Sequence, residues 1–222
     1  IVVLEGGSAV LTSGWRDEVE AILVAWYPGM EGGNAVADVI FGDVNPSGKL
    51  PVTFPDDNGQ LPRFDSEAAR IEYGYYHGYR LFDKENARPA FPFGFGLSYT
   101  TYEYRDLRLD AEEISPDGSL RVEAEIANAG DAAGEEVVQL YVGYPSSRVD
   151  RPVKELKGFA RVSLAPGESK TVGFILKGSD LAYYDADKGR WEVEETTYRL
   201  FVGSSSRPED LHLQASFRIT TR

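Results

Sequence analysis

Glu31 is the carboxylate that the sequence places best for chemistry. It lies in the turn Gly29-Met30-Glu31-Gly32-Gly33, between the apolar run 22–26 and a helix-forming stretch at 34–41. Ligands of α/β sheets bind beyond the carboxyl ends of the strands, and a helix N-terminus stabilises negative charge. Two interpretations stay open. In the first, Glu31 contacts the edge of a substrate or supports a residue that contacts the substrate. In the second, Glu31 begins the helix and is held by backbone amides.

The two histidines and one arginine give weaker signals. His77 lies in the segment Tyr73-Gly74-Tyr75-Tyr76-His77-Gly78-Tyr79-Arg80, which can offer an aromatic edge to a sugar or pack its own rings against a sheet. We expect Arg80 to fix this segment by hydrogen bonds and His212 to point outward between Leu211 and Leu213. Two distant histidines and no cysteine give no zinc spacing, so we expect no metal site.

The tryptophans and the paired acidic residues have competing interpretations. Trp15, Trp26 and Trp191 can suggest a carbohydrate platform, but Trp26 ends an apolar run and Trp191 follows the turn 187–190. We therefore expect them to pack in the core or a domain interface. The acidic pairs fall at predicted strand ends, where we expect solvent exposure: Glu112-Glu113, Glu135-Glu136 and Glu194-Glu195.

Hydrophobic periodicity divides the chain near residues 101–110. Before it, the pattern predicts a buried strand at 22–26, one short helix at 34–41 stopped by Gly42, and a second strand at 50–54. The segment 56–92 is expected to be irregular. After residue 110 the apolar residues alternate, and about seven short strands predict an immunoglobulin-like sandwich.

Composition excludes several classes of protein. The 222 residues are 42% hydrophobic, which indicates a globular chain with a real core. A net charge of −13 argues against binding to nucleic acid or to an anionic membrane. No apolar run approaches the roughly 20 residues that span a bilayer. The absence of cysteine leaves the redox compartment open.

Three motifs, in order, resemble glycoside hydrolase family 3, the β-glucosidase and β-xylosidase family. The first is the stretch 21–55, AILVAWYPGMEGGNAVADVIFGDVNPSGKLPVTFP. The second is Phe91-Pro92-Phe93-Gly94-Phe95-Gly96-Leu97-Ser98-Tyr99-Thr100. The third is Arg151-Pro152-Val153-Lys154-Glu155-Leu156-Lys157-Gly158-Phe159, followed by 164–169. The resemblance implies a partial three-layer α/β sandwich domain at 1–102 and a fibronectin type III-like β-sandwich at 103–222.

The resemblance also implies a reaction whose catalytic groups lie outside this chain. The family hydrolyses glycosides with retention, using a nucleophilic carboxylate and an acid/base carboxylate. The nucleophile belongs to a (β/α)8 barrel of about 250 residues, longer than this whole chain. The acid/base glutamate precedes the strand that matches residues 1–4. The nucleophile of the family commonly lies in a Ser-Asp-Trp sequence, but Ser179-Asp180 precedes Leu181 and is predicted to form a turn. The resemblance therefore assigns no catalytic residue to this chain.

We therefore expect the C-terminal portion of a retaining β-glucosidase, acting on terminal non-reducing β-D-glucosyl residues without metal or cofactor. Its partners would be the barrel-containing remainder and a β-glucoside or oligosaccharide substrate, with no nucleic acid and no membrane. The chain opens on a β-branched run without Met, which favours a piece of a longer polypeptide. Relatives favour periplasmic or extracellular placement. The rival interpretation is a non-catalytic carbohydrate-binding or interaction module.

Overall fold

The computed structural model describes residues 1–221, which form two compact units. The first unit is Ile1–Tyr99 and the second begins at Thr100. An α/β unit is followed by an all-β unit, the fold class that the sequence predicts. The sequence predicts a domain boundary between residues 102 and 103, and that boundary stays a prediction.

The first unit is built on a parallel pair of strands with two helices. These are β1 (Val2–Glu5), β2 (Ile22–Trp26), α1 (Gly32–Phe41) and α2 (Tyr79–Glu85). The register runs from Val2↔Ile22 to Leu4↔Val24 and shifts before Glu5↔Trp26. The strand predicted from the apolar run is confirmed, but every residue of β2 is half-buried. The chain's own residues therefore cover this sheet only in part.

The strand predicted at 50–54 is wrong. Only an isolated antiparallel bridge, Phe54↔Phe91, forms there. The Leu50 amide donates to the Phe95 carbonyl at 2.8 Å. Residues 50–54 are therefore hydrogen-bonded at both ends but form no continuous ladder. Pro51 and Pro55 explain the difference, because proline has no N–H to give to a ladder.

Helix α2 lies inside the segment that the sequence predicts as irregular. Gly78, with φ of 55°, precedes it, and Asn86 ends it in the left-handed region at φ of 51°. Seven residues with one buried side chain, Phe82, give too short a pattern for a helix to be predicted. Helix α1 was predicted, and Gly42 ends it at φ of 85° as expected.

The second unit is a two-sheet sandwich with an added hairpin. Its strands are β3 (Tyr102–Leu109), β4 (Glu113–Ile114), β5 (Ser119–Asn128), β6 (Gly134–Gly143), β7 (Lys154–Leu164), β8 (Ser169–Lys177), β9 (Tyr183–Asp185), β10 (Arg190–Glu192), β11 (Thr197–Gly203) and β12 (Leu213–Ile219). One sheet has the order β4-β12-β11-β6-β7, the other has the order β3-β5-β8, and β9 pairs with β10 separately.

The alternating residues that predicted the sandwich form its core. Successive inward positions of β5 are almost fully buried, and the same holds on β6 and β11. Period-two alternation puts every second side chain on one face of a strand, so the buried sets face each other between the sheets. The core residues on these three strands are Leu120, Val122, Ala124, Ile126, Val138, Leu140, Val142, Tyr198, Leu200 and Val202.

The two glycines that open α1 have different surroundings. Gly32 is buried, and a Cβ there would lie 2.6 Å from Cγ of Pro28. A Cβ on Gly33 would meet nothing within 4 Å. The turn after β2 therefore requires glycine only at the first of these positions.

We expect Gly32→Ala to lower the free energy of unfolding of the chain by about 1–3 kcal/mol, because the added methyl forces Pro28 to move. Gly33→Ala is the matched control and should raise that free energy by about 0.5–1 kcal/mol, since alanine is the better helix former. Urea unfolding of both variants checks this. Equal destabilisation by the two substitutions would contradict the close-packing argument.

Candidate functional site

Glu31 lies at the N-cap of α1, five residues after β2 ends at Trp26. Its carboxylate is exposed, and Oε2 accepts a hydrogen bond of 2.7 Å from the Asn34 side-chain amide. Within residues 1–221 the Glu31 side chain makes no capping bond to a backbone amide. The carboxylate is therefore oriented by a neighbouring side chain at the helix start. Its role in chemistry stays a prediction.

The backbone before Glu31 turns through unusual conformations. Trp26 has φ of 54° and Gly29 has φ of 75°. A positive φ is strained for a bulky residue such as tryptophan, and such strain persists where surrounding contacts enforce it. The Gly6 amide donates to the Trp26 carbonyl at 3.0 Å, and the Trp26 ring meets the Phe54 ring edge-on at 6.3 Å. These contacts hold the strained residue at the carboxyl end of β2.

The strained turn places large apolar side chains in the open. Tyr27, just before the turn that carries Glu31, is 80% exposed, and Met30 within that turn is fully exposed. A Cβ on Gly7, just after β1, would lie 2.7 Å from the Tyr27 hydroxyl, so glycine there lets the ring lie close to the chain. The end of the parallel pair thus exposes apolar side chains beside the Glu31 carboxylate.

The first two sequence motifs are hydrogen-bonded to each other. Oδ1 of Asn45 accepts from the Ser98 hydroxyl at 2.9 Å and from the Tyr99 amide at 2.8 Å. The Tyr99 hydroxyl donates to the Val39 carbonyl at 2.6 Å. Lys49 donates to the Gly96 carbonyl at 2.9 Å. The sequence around Asn45 gives no sign of this role, because its hydrogen-bond partners lie more than 50 positions away.

The tyrosine-rich segment packs mainly through its own rings. Tyr75 and Tyr76 meet edge to face at 5.2 Å, and the Lys84 ammonium lies 3.6 Å from the centre of the Tyr76 ring. Arg80 lies over the Tyr75 ring at 5.8 Å, and His77 is exposed. A cleft of about 400 Å³ adjoins the segment and is lined by Gln60, Arg63, Glu72, Tyr73, Tyr76 and Glu85, among others. These contacts favour the packing interpretation over a sugar-binding edge.

The tryptophans occupy different environments. Trp15 and Trp26 are half-buried, whereas Trp191 is 69% exposed. The sequence interpretation placed Trp191 in the core or an interface, and the structure excludes the core. Trp191 lies on the short hairpin β9–β10 and therefore outside both sandwich sheets. His212 is exposed, as expected, with its ring 4.5 Å from that of Tyr104.

The expectation that the acidic pairs are solvated is wrong for two members. Glu136 and Glu194 are each 3% exposed. Glu136 accepts from the Tyr104 hydroxyl at 3.2 Å. Glu194 accepts from the Ser147 hydroxyl at 2.6 Å and the Arg148 amide at 2.9 Å. Hydrogen bonds from distant positions satisfy these carboxylates, which is why their burial is tolerated.

Arg151, the first residue of the third motif, lies at the centre of a buried cluster that includes the Glu194 carboxylate. Its guanidinium lies 3.6 Å from the centre of the Tyr144 ring and donates to the Leu181 carbonyl at 2.7 Å. It also pairs with Glu155 at 3.6 Å and reaches Glu194 at 4.0 Å. Through Arg151, the third motif thus joins β7 to the loops that carry Tyr144 and Leu181.

Glu155 is the carboxylate of this cluster with a displaced pKa. Burial alone would raise its pKa, but the hydrogen bond from the Tyr144 hydroxyl and the cations Lys157 and Arg151 outweigh burial and lower the pKa below 4.5. Tyr144 donates at 2.7 Å. Burial and the nearby Glu155 carboxylate raise the pKa of the Tyr144 hydroxyl, which keeps it a donor.

The described part of the chain lacks both a metal-ligand cluster and a membrane-spanning helix. Among residues 1–221 no three His, Cys, Asp or Glu side chains lie together so that they could hold a metal ion. The same residues contain no helix long and apolar enough to cross a membrane.

Two family models match the chain. The model of the glycosyl hydrolase family 3 C-terminal domain matches residues 1–99, and that of the fibronectin type III-like domain matches residues 136–206. Thermostable beta-glucosidase B of Acetivibrio thermocellus is 44% identical over 226 residues, covering 100% of this chain and 30% of that protein. The beta-glucosidase of Rhizobium radiobacter is 43% identical, with 93% and 26% covered.

Solved structures show the same likeness. Beta-glucosidase 3B of Thermotoga neapolitana, in complex with glucose, has a TM-score of 0.89 at 40% identity, covering 98% of this chain and 30% of that one. Beta-D-glucoside glucohydrolase of Trichoderma reesei has a TM-score of 0.90 at 33% identity, with 99% and 33% covered. The chain thus spans about a third or less of the relatives that it matches.

The lowered pKa of Glu155 predicts a pH-dependent contribution to stability. A carboxylate whose pKa is depressed by folding stabilises the native state above its unfolded pKa, and this contribution is lost as pH falls through the folded pKa. We expect Glu155→Gln to lower the free energy of unfolding at pH 7 and the difference from wild type to shrink below about pH 4.5.

Denaturant unfolding between pH 7 and pH 3 measures this difference. Tyr144→Phe is the matched variant, since it deletes one hydrogen bond to Glu155 but keeps the ring beneath Arg151. It should retain part of the pH dependence because Lys157 and Arg151 still face the carboxylate. A difference between Glu155→Gln and wild type that is constant over the whole range would refute the assignment.

Proposed function

The chain belongs to glycoside hydrolase family 3, matching the C-terminal portion of its β-glucosidases, and on this premise we propose that it serves a retaining β-glucosidase. The reaction is hydrolysis of terminal non-reducing β-D-glucosyl residues from a β-glucoside or oligosaccharide. The observation that carries the proposal is identity of 43–44% over 93–100% of the chain with proteins named as beta-glucosidases.

Catalysis in this proposal uses carboxylates of the barrel-containing remainder and of the loop before the strand that matches β1. Retaining hydrolysis needs its two carboxyl groups about 5–5.5 Å apart, one as nucleophile and one as acid and then base. The task of this chain is to hold the α/β sandwich domain so that this separation is kept. No step of the reaction is assigned to a residue of the chain.

The uncovered surface of the first unit supports a large polypeptide partner. Strand β2 is only half-buried, and Tyr27, Met30 and Phe41 expose most of their apolar surface. Parallel sheets are covered on both faces in folded proteins, and exposed apolar patches mark interaction sites. The barrel-containing remainder, with the missing part of the sandwich domain, is the partner that this surface fits. Placement outside the cytoplasm is part of the same proposal.

Glu31 is proposed as the residue of this chain that meets the substrate edge. Three features support this role: the carboxylate is exposed, it follows the carboxyl end of a parallel strand, and Asn34 orients it. The alternative is that Glu31 only favours the start of α1 through the helix dipole.

The chain alone should not hydrolyse p-nitrophenyl β-D-glucopyranoside, because both catalytic carboxylates belong to the remainder of the enzyme. Mixing it with the barrel-containing polypeptide should restore hydrolysis and yield a complex in size-exclusion chromatography. Hydrolysis by the chain alone would overturn the assignment of the carboxylates. Failure of the two polypeptides to associate would overturn the proposed partner.

In the assembled enzyme, Glu31→Gln should raise KM about three- to tenfold with kcat nearly unchanged, because one hydrogen bond to bound sugar is weakened. Asp38→Asn is the matched control, an exposed carboxylate further along the same helix, and should leave both constants unchanged. Steady-state kinetics decide the question. If Glu31→Gln behaves like the control, Glu31 only starts the helix.

A further inference from the structure

The hairpin β9–β10 carries two aromatic rings that the sandwich core does not use. Tyr184 and Trp191 are directly opposite each other in the antiparallel register. Their ring centres are 5.6 Å apart with planes at 71°, so the contact is edge to face. Tyr184 is 55% exposed and Trp191 is 69% exposed. The hairpin therefore presents a tryptophan with most of its surface open to solvent.

Hydrogen bonds and ion pairs fix the turn beneath these rings. Oδ1 of Asp185 accepts from the amides of Asp187 and Lys188 at 3.1 Å each. The Lys188 ammonium pairs with Asp185 at 3.2 Å and with Glu192 at 3.5 Å. Arg190 donates to Glu192 at 2.6 Å. The turn that carries the rings is thus held in one conformation, which lowers the entropic cost of binding a ligand.

The chemistry of this surface fits a neutral sugar. An exposed aromatic face attracts the C–H face of a pyranose, and the paired charges beside it supply donors and acceptors for hydroxyl groups without a strong net charge. An acidic ligand is disfavoured, because the chain carries a net charge of −13. A stable protein interface buries at least about 1,000 Å² of total surface, more than two rings on a short hairpin supply by themselves.

We infer that Tyr184 and Trp191 form a sugar-binding site that takes a neutral β-linked glucan. The site lies in the second unit and does not include Glu31, the residue proposed to meet the substrate edge. It would hold a polymeric or oligomeric substrate near the enzyme by stacking one pyranose ring on Trp191. The inference goes beyond the proposed function, since binding at this hairpin does not require cleavage.

Native affinity electrophoresis of the full chain in gels with and without soluble mixed-linkage β-glucan tests the inference. The wild-type chain should be retarded by the glucan, and the dissociation constant should rise about three- to tenfold for Trp191→Ala. Trp191→Phe should retain part of the retardation because it keeps an aromatic face. Phe159→Ala is the matched control, since Phe159 is 70% exposed on β7 but lies outside the hairpin. It should be retarded like wild type.

Every outcome of this test is informative. Equal retardation of wild type and Trp191→Ala, or no retardation of wild type, overturns the inference. Stronger retardation by polygalacturonate than by the neutral glucan also overturns it. If Trp191→Ala instead weakens association with the barrel-containing polypeptide while no glucan binds, the rings belong to a protein interface. Because binding is measured without hydrolysis, these results do not depend on whether the proposed enzymatic function is correct.

Discussion

Phe54 is the most deeply buried large apolar side chain of the first unit. It is 1% exposed, and its ring meets Trp26 at 6.3 Å and Phe91 at 6.1 Å, in both cases edge to face. Its amide donates to the Phe91 carbonyl, and its own carbonyl accepts from the Phe91 amide. One residue thus joins the end of β2 to the second motif through both side chain and backbone. This buried contact adds to the hydrogen bonds by which Asn45 and Lys49 bind the second motif.

This aromatic contact also explains the conformation of the candidate site. Trp26 keeps a positive φ because Phe54 packs against its ring and Gly6 binds its carbonyl. The chain that leaves Trp26 then projects Tyr27 outward and reaches α1 at Glu31. The contact between Trp26 and Phe54 therefore packs the unit and also sets the path of the chain that exposes Glu31.

Sequence patterns predicted the elements whose signal is local and periodic. Strand β2, helix α1 and the inward positions of β5 follow from apolar runs, a glycine stop and period-two alternation. The features that were missed depend on distant partners: Glu194 is buried because Ser147 and Arg148 bind it from 46 or 47 positions away. The exposure of Trp191 was likewise hidden, because an apolar residue after a turn looks the same in sequence whether it points inward or outward.

The two units differ in what they bury and what they expose. The sandwich encloses charged groups and satisfies them internally, as Arg151 does with Glu155 and the Leu181 carbonyl. Breaking such a pair leaves an uncompensated charge, so the cluster favours one arrangement of its loops. The first unit instead leaves apolar surface at the end of its parallel pair. The second unit thus satisfies its buried charges within its own residues, whereas the first unit exposes apolar side chains that its own residues leave uncovered.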